Sequence, residues 1–186
     1  MVGITVKSEL LIGIGIIIWL ITRICILIKN KKIDFKKEFF NFVILIYILW
    51  LIGITLFPID ITWVKEYVHE RNIVINFNPF NIFQIIKLAG LKIFIINVLG
   101  NIFILVPMGI IISIKYKNKN IRYIDMFKIG LLITLTIELM QLLEMYLRVV
   151  IGRSVDINDI IFNILGILIG KYVYDNLLKK NIDNKI

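Results

Sequence analysis

Cysteine, histidine and proline, which often mark chemistry or sharp turns, are scarce in this sequence, with one, one and three occurrences. The single Cys25 excludes an intramolecular disulfide and a cysteine-based metal site. His69 lies among charged residues, as a solvated surface histidine does, rather than a ligand or base. No Ser/His/Asp set, HExxH motif or phosphate-binding loop is present either, so no standard catalytic motif can be assigned.

The sequence also lacks a linker rich in Pro, Gly or Ser, a low-complexity tract and an internal repeat of fixed period. We therefore expect residues 1–186 to form a single domain.

Hydrophobic residues are what the sequence has in excess. They make up 59% of the chain, against about 45–50% in soluble domains. Five apolar runs are long enough, or nearly so, to cross about 30 Å of hydrocarbon. We predict an all-α membrane protein with five transmembrane helices in one bundle, at Leu10–Ile28, Phe39–Phe57, Ile93–Ile114, Phe127–Tyr146 and Ile157–Tyr174.

The net charge of +9 is distributed as in a membrane protein rather than a nucleic-acid-binding one. The basic residues collect after the first run, after the third run and in the tail, and basic loops stay in the cytoplasm. We therefore expect a multi-pass protein with its N-terminus outside and its C-terminus cytoplasmic, and no nucleic-acid partner.

The outer loop between the second and third runs contains NFNPFNIFQIIK, at Asn76–Lys87. This stretch predicts a turn followed by an amphipathic segment. Two placements remain open: a short helix in the membrane interface, or a loop that packs its aromatic residues on the helix bundle.

One face of the last run carries polar and small residues within an arc of roughly 80°, at about 100° per residue: Asp156, Asp159, Asn163, Gly166 and Gly170. Ionisable groups face hydrocarbon only at high cost, so this seam is expected to face protein.

The third and fourth apolar runs also carry polar residues, at a similar expected depth in the membrane. With the predicted orientation and 1.5 Å per residue, Asn97 and Asn101 lie about 6 and 12 Å below the outer edge, and Glu138 and Gln141 about 8–12 Å below it. The candidate binding pocket, in the outer half of the bilayer, thus comprises Asn97, Asn101, Glu138, Gln141, Arg153, Asp156, Asp159 and Asn163.

Two interpretations of this polar layer remain open. In the first, Arg153 pairs with Glu138 and the amides join the helices by hydrogen bonds, so the layer is structural. In the second, it lines a water-accessible pocket that opens to the outer face. Carboxylates and amides also suit a hard cation such as Mg²⁺ or Ca²⁺, but the sequence assigns no metal ligands and no cofactor.

Five motifs in this order resemble the VanZ-like family of bacterial membrane proteins, over about Phe39–Tyr174. They are TLFP at Thr55–Pro58, NFNPF at Asn76–Phe80, NIFILVPMG at Asn101–Gly109, the Thr134, Glu138 and Gln141 set, and the polar and glycine pattern from Arg153 to Gly170.

The resemblance implies the bacterial cell membrane and a role in low-level resistance to glycopeptides such as teicoplanin, or a related envelope function. The protein would bind or shield a lipid-linked cell-wall component, or engage the acyl chain of a lipoglycopeptide, with membrane lipids as further partners. Alternatively it is an intramembrane enzyme, in which Glu138 or Asp159 is a general base and Arg153 holds the phosphate of a polyprenyl-phosphate or phospholipid. Transport is disfavoured by the lack of inverted repeats.

Overall fold

The computed structural model describes residues 3–30, 34–62, 73–150 and 153–179, and the described chain is mostly helical. Five of its helices are long and apolar enough to cross a membrane, which confirms the prediction of an all-α membrane protein. They are α1 at Ser8–Asn30, α2 at Phe35–Leu56, α3 at Ile82–Lys115, α4 at Tyr123–Leu147 and α5 at Ile157–Val173, the last continued by a π-helical turn at Tyr174–Leu178. The predicted spans agree with these helices to within a few residues at most ends. His69 lies outside the described residues.

The start of α2 is set by Asp34, whose side chain accepts hydrogen bonds from the backbone N–H groups of Lys36 and Lys37. A carboxylate at this position satisfies amides that have no partner within the helix. The hydrogen bond from the Lys37 amide also holds the pKa of the Asp34 carboxyl below its ordinary value.

The amphipathic segment between α2 and α3 forms the turn and helix that the sequence predicts. A short 3₁₀ turn at Pro79–Asn81 leads into the first two turns of α3, and Gly90 then breaks the helix with φ 85° and ψ 164°. This conformation is one that glycine adopts at little cost. Phe77, Phe80 and Phe83 are all exposed, as expected for an element at the membrane interface rather than a loop packed on the helices.

The described contacts divide the chain into two units that are interleaved in sequence, so the single-domain expectation stays a prediction. The first unit, residues 1–72 and 143–153, contains α1, α2 and the end of α4. Its strand β1 at Gly3–Val6 pairs antiparallel with β2 at Ile59–Thr62, which the sequence analysis did not predict. Helices α1 and α2 approach closely where Gly15 faces Leu49.

The second unit, residues 73–142 and 154–186, contains α3, most of α4 and α5. Helices α3 and α5 are packed backbone to backbone: a Cβ atom at Gly109, Gly166 or Gly170 would lie 2.1–2.2 Å from a carbonyl oxygen of the other helix. Leu105 and Ile167 are completely buried. The small-residue seam of the last span therefore faces protein, as predicted, and it fixes the approach of the two helices.

Two short strands complete this second unit. Strand β3 at Ile75–Asn76 pairs in parallel with β4 at Val155–Asp156. The pairing places Asn76, from the segment between α2 and α3, beside Asp156, the residue that precedes α5.

Candidate functional site

The N-terminus of α5 is organised by Asp156, the residue that caps the helix. One carboxylate oxygen accepts hydrogen bonds from the backbone N–H of Asn158 at 2.8 Å and from its side-chain amide at 2.9 Å. The other oxygen accepts from Asn76 Nδ2 at 2.9 Å. The backbone N–H of Asp156 donates to Glu138 Oε2 at 3.2 Å. Asp156 thus joins the segment between α2 and α3 to α4 and α5.

Asp159, one turn into α5, accepts a hydrogen bond from the side-chain amide of Asn101 on α3. Its carboxylate interacts electrostatically with Asp156, and Glu138 interacts with both aspartates. We call Glu138, Asp156 and Asp159 the acidic cluster. Among the described residues, none of the ion pairs includes a member of this cluster.

A second pair of polar side chains lies one helical turn after Asp159 in α5 and one turn before Glu138 in α4. Asn163 Nδ2 donates to Thr134 Oγ1 at 3.1 Å, and both residues are buried. The Asn163 carbonyl oxygen is buried without a hydrogen-bond partner within the described part of the chain. This oxygen is therefore an unused acceptor, four residues after Asp159 in the sequence. A hydrogen bond from a water molecule or a ligand would satisfy it.

The site contains many hydrogen-bond acceptors and few cationic side chains. The described residues hold no group of three His, Cys, Asp or Glu side chains placed to bind a metal ion. Each hydrogen bond to the acidic cluster comes from a neutral amide, either in a side chain or in the backbone. A group that brings several N–H or O–H donors, or a positive charge, would complement this arrangement.

The ion-pair partner of Arg153 is Glu144 rather than Glu138, so the Arg153–Glu138 pair of the first interpretation is wrong. Within the first unit, Arg153 Nη1 lies 3.2 Å from Glu144 Oε2 and also donates to the carbonyl oxygen of Thr55. Arg153 Nη2 donates to the carbonyl oxygen of Phe57 at 3.0 Å. The guanidinium therefore joins the end of α4 to the end of α2.

Of the eight predicted pocket residues, four meet through hydrogen bonds or electrostatic contact in the second unit: Asn101, Glu138, Asp156 and Asp159. Asn163 lies one turn further along α5. Gln141 is half-buried, and Asn97 is exposed. Asn97 takes part in none of the described hydrogen bonds, so the structure leaves it outside the polar contacts that its helical spacing predicted.

Three participants were absent from the predicted pocket. Asn158 follows Asp156 by two residues, and this spacing could have predicted the Asx turn in which the aspartate accepts from its backbone N–H. Asn76 was recognised only as part of a turn, because its contact with Asp156 spans 80 positions in sequence. Glu144 was missed because it is six residues after Glu138 and so lies on a different face of α4.

Five apolar helices define a polytopic membrane protein, and its candidate site lies in the second unit, where polar side chains of α3, α4 and the start of α5 meet and Glu138 is buried. The family model VanZ/LLP1 matches residues 42–179, well over half of the chain, and the protein belongs to this family, which is linked to glycopeptide resistance. The match agrees with the range predicted from the motifs. No curated protein and no solved structure matches the chain.

Proposed function

We propose that this protein acts in the bacterial cell envelope and lowers the effect of glycopeptides of the teicoplanin type. In this proposal it binds or shields a lipid-linked cell-wall component, or the antibiotic itself, at the outer half of the membrane. The family match supports the link to resistance. The orientation follows from the positive-inside rule, which keeps the basic loops in the cytoplasm.

The observation that carries the binding role is the acidic cluster without a cationic partner among the described residues. Glu138 is 3% exposed, its described hydrogen bond comes from a backbone amide, and the charged groups that act on it electrostatically are the carboxylates of Asp156 and Asp159. A buried carboxylate without a counter-charge destabilises a membrane protein, and a purely structural role for Glu138 would not offset this cost. A ligand donor or cation that enters the site would offset it.

The chemistry of the site suggests what it recognises. Carboxylates and amide oxygens accept hydrogen bonds, so hydroxyl, amide and ammonium groups are their natural partners. Sugars of a lipid-linked precursor and the sugars or amines of a glycopeptide carry such groups. A free phosphate would be repelled by the three carboxylates.

The alternative of an intramembrane enzyme has less support. The arginine that was assigned to a substrate phosphate, Arg153, donates to Thr55, Phe57 and Glu144 instead. Glu138 and Asp159 remain the candidates for a general base.

The substitution Glu138→Gln tests the proposal. Gln keeps the size and one acceptor of the side chain but cannot carry the charge. In a susceptible host we expect the wild-type protein to raise the minimum inhibitory concentration of teicoplanin and Glu138→Gln to return it to that of the empty vector. The control is Glu9→Gln, the same chemical change at an exposed position of α1, which should keep full resistance.

Equal amounts of each variant in the membrane are verified by immunoblotting, and folding by thermal unfolding in detergent. Full resistance with Glu138→Gln would overturn the role of the cluster, and no effect of the wild-type protein would overturn the resistance function. Native mass spectrometry of the purified protein separates the two mechanisms, because an intact lipid-linked component supports binding and a processed one supports an enzyme.

A further inference from the structure

Helices α1 and α2 enclose a groove of 420 Å³ inside the first unit, away in sequence from the acidic cluster. Its volume is in the range of small-molecule sites, about 300–1,000 Å³. The lining comes from the second half of α1 and the first two turns of α2: Trp19, Arg23, Leu27, Phe35, Glu38, Phe39 and Phe42. All but one of these residues precede the part of the chain that matches the family.

The two charged residues of the groove are paired with each other. Arg23 Nε lies 2.9 Å from Glu38 Oε2, and Nη1 donates to Oε1 at 3.1 Å. The Arg23 guanidinium also lies over the Trp19 ring, 5.5 Å from its centre. A bidentate pair of this kind uses both carboxylate oxygens, so the groove offers a visiting molecule mainly aromatic and aliphatic surface.

The end of α1 and the start of α2 carry exposed lysines next to the lining residues in sequence. Lys29 closes α1, and Lys36 and Lys37 stand between Phe35 and Glu38 at the start of α2. Basic segments next to a membrane span attract anionic lipid headgroups, at about 1 kcal/mol for each Lys near the surface.

We propose that this groove holds one acyl chain of an anionic phospholipid, whose headgroup phosphate is bound by Lys29 at the end of α1 and by Lys36 and Lys37 at the start of α2. The apolar wall of the groove suits an acyl chain, and the lysines suit an anionic headgroup. The groove and the lysines are adjacent along α1 and α2, as the acyl chain and headgroup are in a lipid. The lipid comes from the leaflet on the side of these lysines. The site is independent of the acidic cluster, so its failure would leave the proposed function untouched.

The test is native mass spectrometry of the full chain, released from nanodiscs that contain equal amounts of phosphatidylglycerol and phosphatidylcholine with the same acyl chains. We expect one retained phosphatidylglycerol for each wild-type chain. Leu27→Trp fills the groove with a larger side chain and should weaken retention about tenfold. The control is Ile28→Trp, the same residue introduced at the next, more exposed position, which does not line the groove and should bind as the wild type does.

A second variant separates the headgroup from the chain. Lys36→Gln together with Lys37→Gln should reduce the preference for phosphatidylglycerol over phosphatidylcholine about tenfold or more, since each lysine contributes about fivefold. Equal retention of the two lipids by the wild type would overturn the proposal. So would unchanged retention in Leu27→Trp, and a dimer that Leu27→Trp converts to a monomer would assign the groove to a second copy of the chain.

Discussion

Arg153 shows how one side chain can hold together segments that are distant in sequence. Its guanidinium reaches the carbonyl oxygens of Thr55 and Phe57, at the end of α2, and the carboxylate of Glu144, near the end of α4. Planar geometry lets an arginine serve several acceptors at once, whereas a lysine presents a single point charge. The structure therefore gives Arg153 a positioning role.

We expect Arg153→Lys to lower the free energy of unfolding by about 2 kcal/mol, because hydrogen bonds from a charged donor contribute about 1.5–3 kcal/mol each and only part of them can be rebuilt. Thermal and denaturant unfolding in detergent measure the change. Arg148→Lys is the matched control, since Arg148 is exposed. If Arg153→Lys unfolds as the wild type does but loses resistance, the sequence hypothesis of a ligand-anchoring arginine gains support instead.

At the scale of secondary-structure elements, the contact of α3 with α5 depends on glycine. A Cβ atom at Gly166 would lie 2.1 Å from the carbonyl oxygen of Ile102, and backbone atoms cannot yield as a flexible side chain can. Small residues at such crossings let helix backbones approach closely in membranes.

Gly166→Ala should therefore destabilise the protein by about 3 kcal/mol, because the two helices must separate. Gly100→Ala on α3 is the control: nothing lies within 4 Å of its added Cβ, and alanine favours a helix by about 1 kcal/mol over glycine. Equal unfolding temperatures of the two variants would contradict the packing argument.

The capping of α2 leads to a prediction of pH dependence. The pKa of Asp34 is lowered in the folded protein by the Lys37 backbone N–H, from an ordinary value of 3.8. Its carboxylate therefore stabilises the helix above pH 3.8, and this contribution is lost as the pH falls through the lowered pKa.

We expect Asp34→Ala to melt at a lower temperature than the wild type at pH 7, with a difference that shrinks as the pH falls below 3.8. Asp34→Asn keeps the capping oxygen without the titration and should lose less at pH 7. A difference between wild type and Asp34→Ala that stays constant with pH would show that the charge plays no part.

The same scale shows why some elements were predictable and others were not. A helix that crosses a membrane needs about 20 apolar residues in a row, a signal that one sequence contains in full. Strands β1 and β2 are four residues each, and their pairing joins Gly3 to Thr62 across the whole α1–α2 region. No local pattern reports such a partner.

For the whole molecule, the orientation in the membrane is the largest open prediction. Three basic stretches alternate with the outer loops, so reporter fusions after Lys37, Asn120 and Lys185 should all report a cytoplasmic location. A fusion after Asn78 should report the opposite side. An outside signal at Asn120 would contradict both the orientation and the depths assigned to the polar residues.

The polar core of the second unit was partly visible from sequence. Helical spacing and depth selected Asn101, Glu138, Asp156 and Asp159, and the structure brings these four together. The same reasoning placed Asn97 with them, yet this residue is exposed. Spacing defines the face of a helix but not where along its length a neighbouring helix begins, and α5 begins only at Ile157.

The burial of polar groups along α5 has a consequence for biosynthesis. Of the five spans, α5 has the lowest hydropathy, and it carries buried Asn158, Asn163 and Lys171. Its polar side chains meet Asn101 on α3 and Thr134 on α4, which leave the ribosome earlier. On its own, α5 would enter the lipid poorly, so its integration by the translocation machinery depends on the two preceding helices being present to receive it.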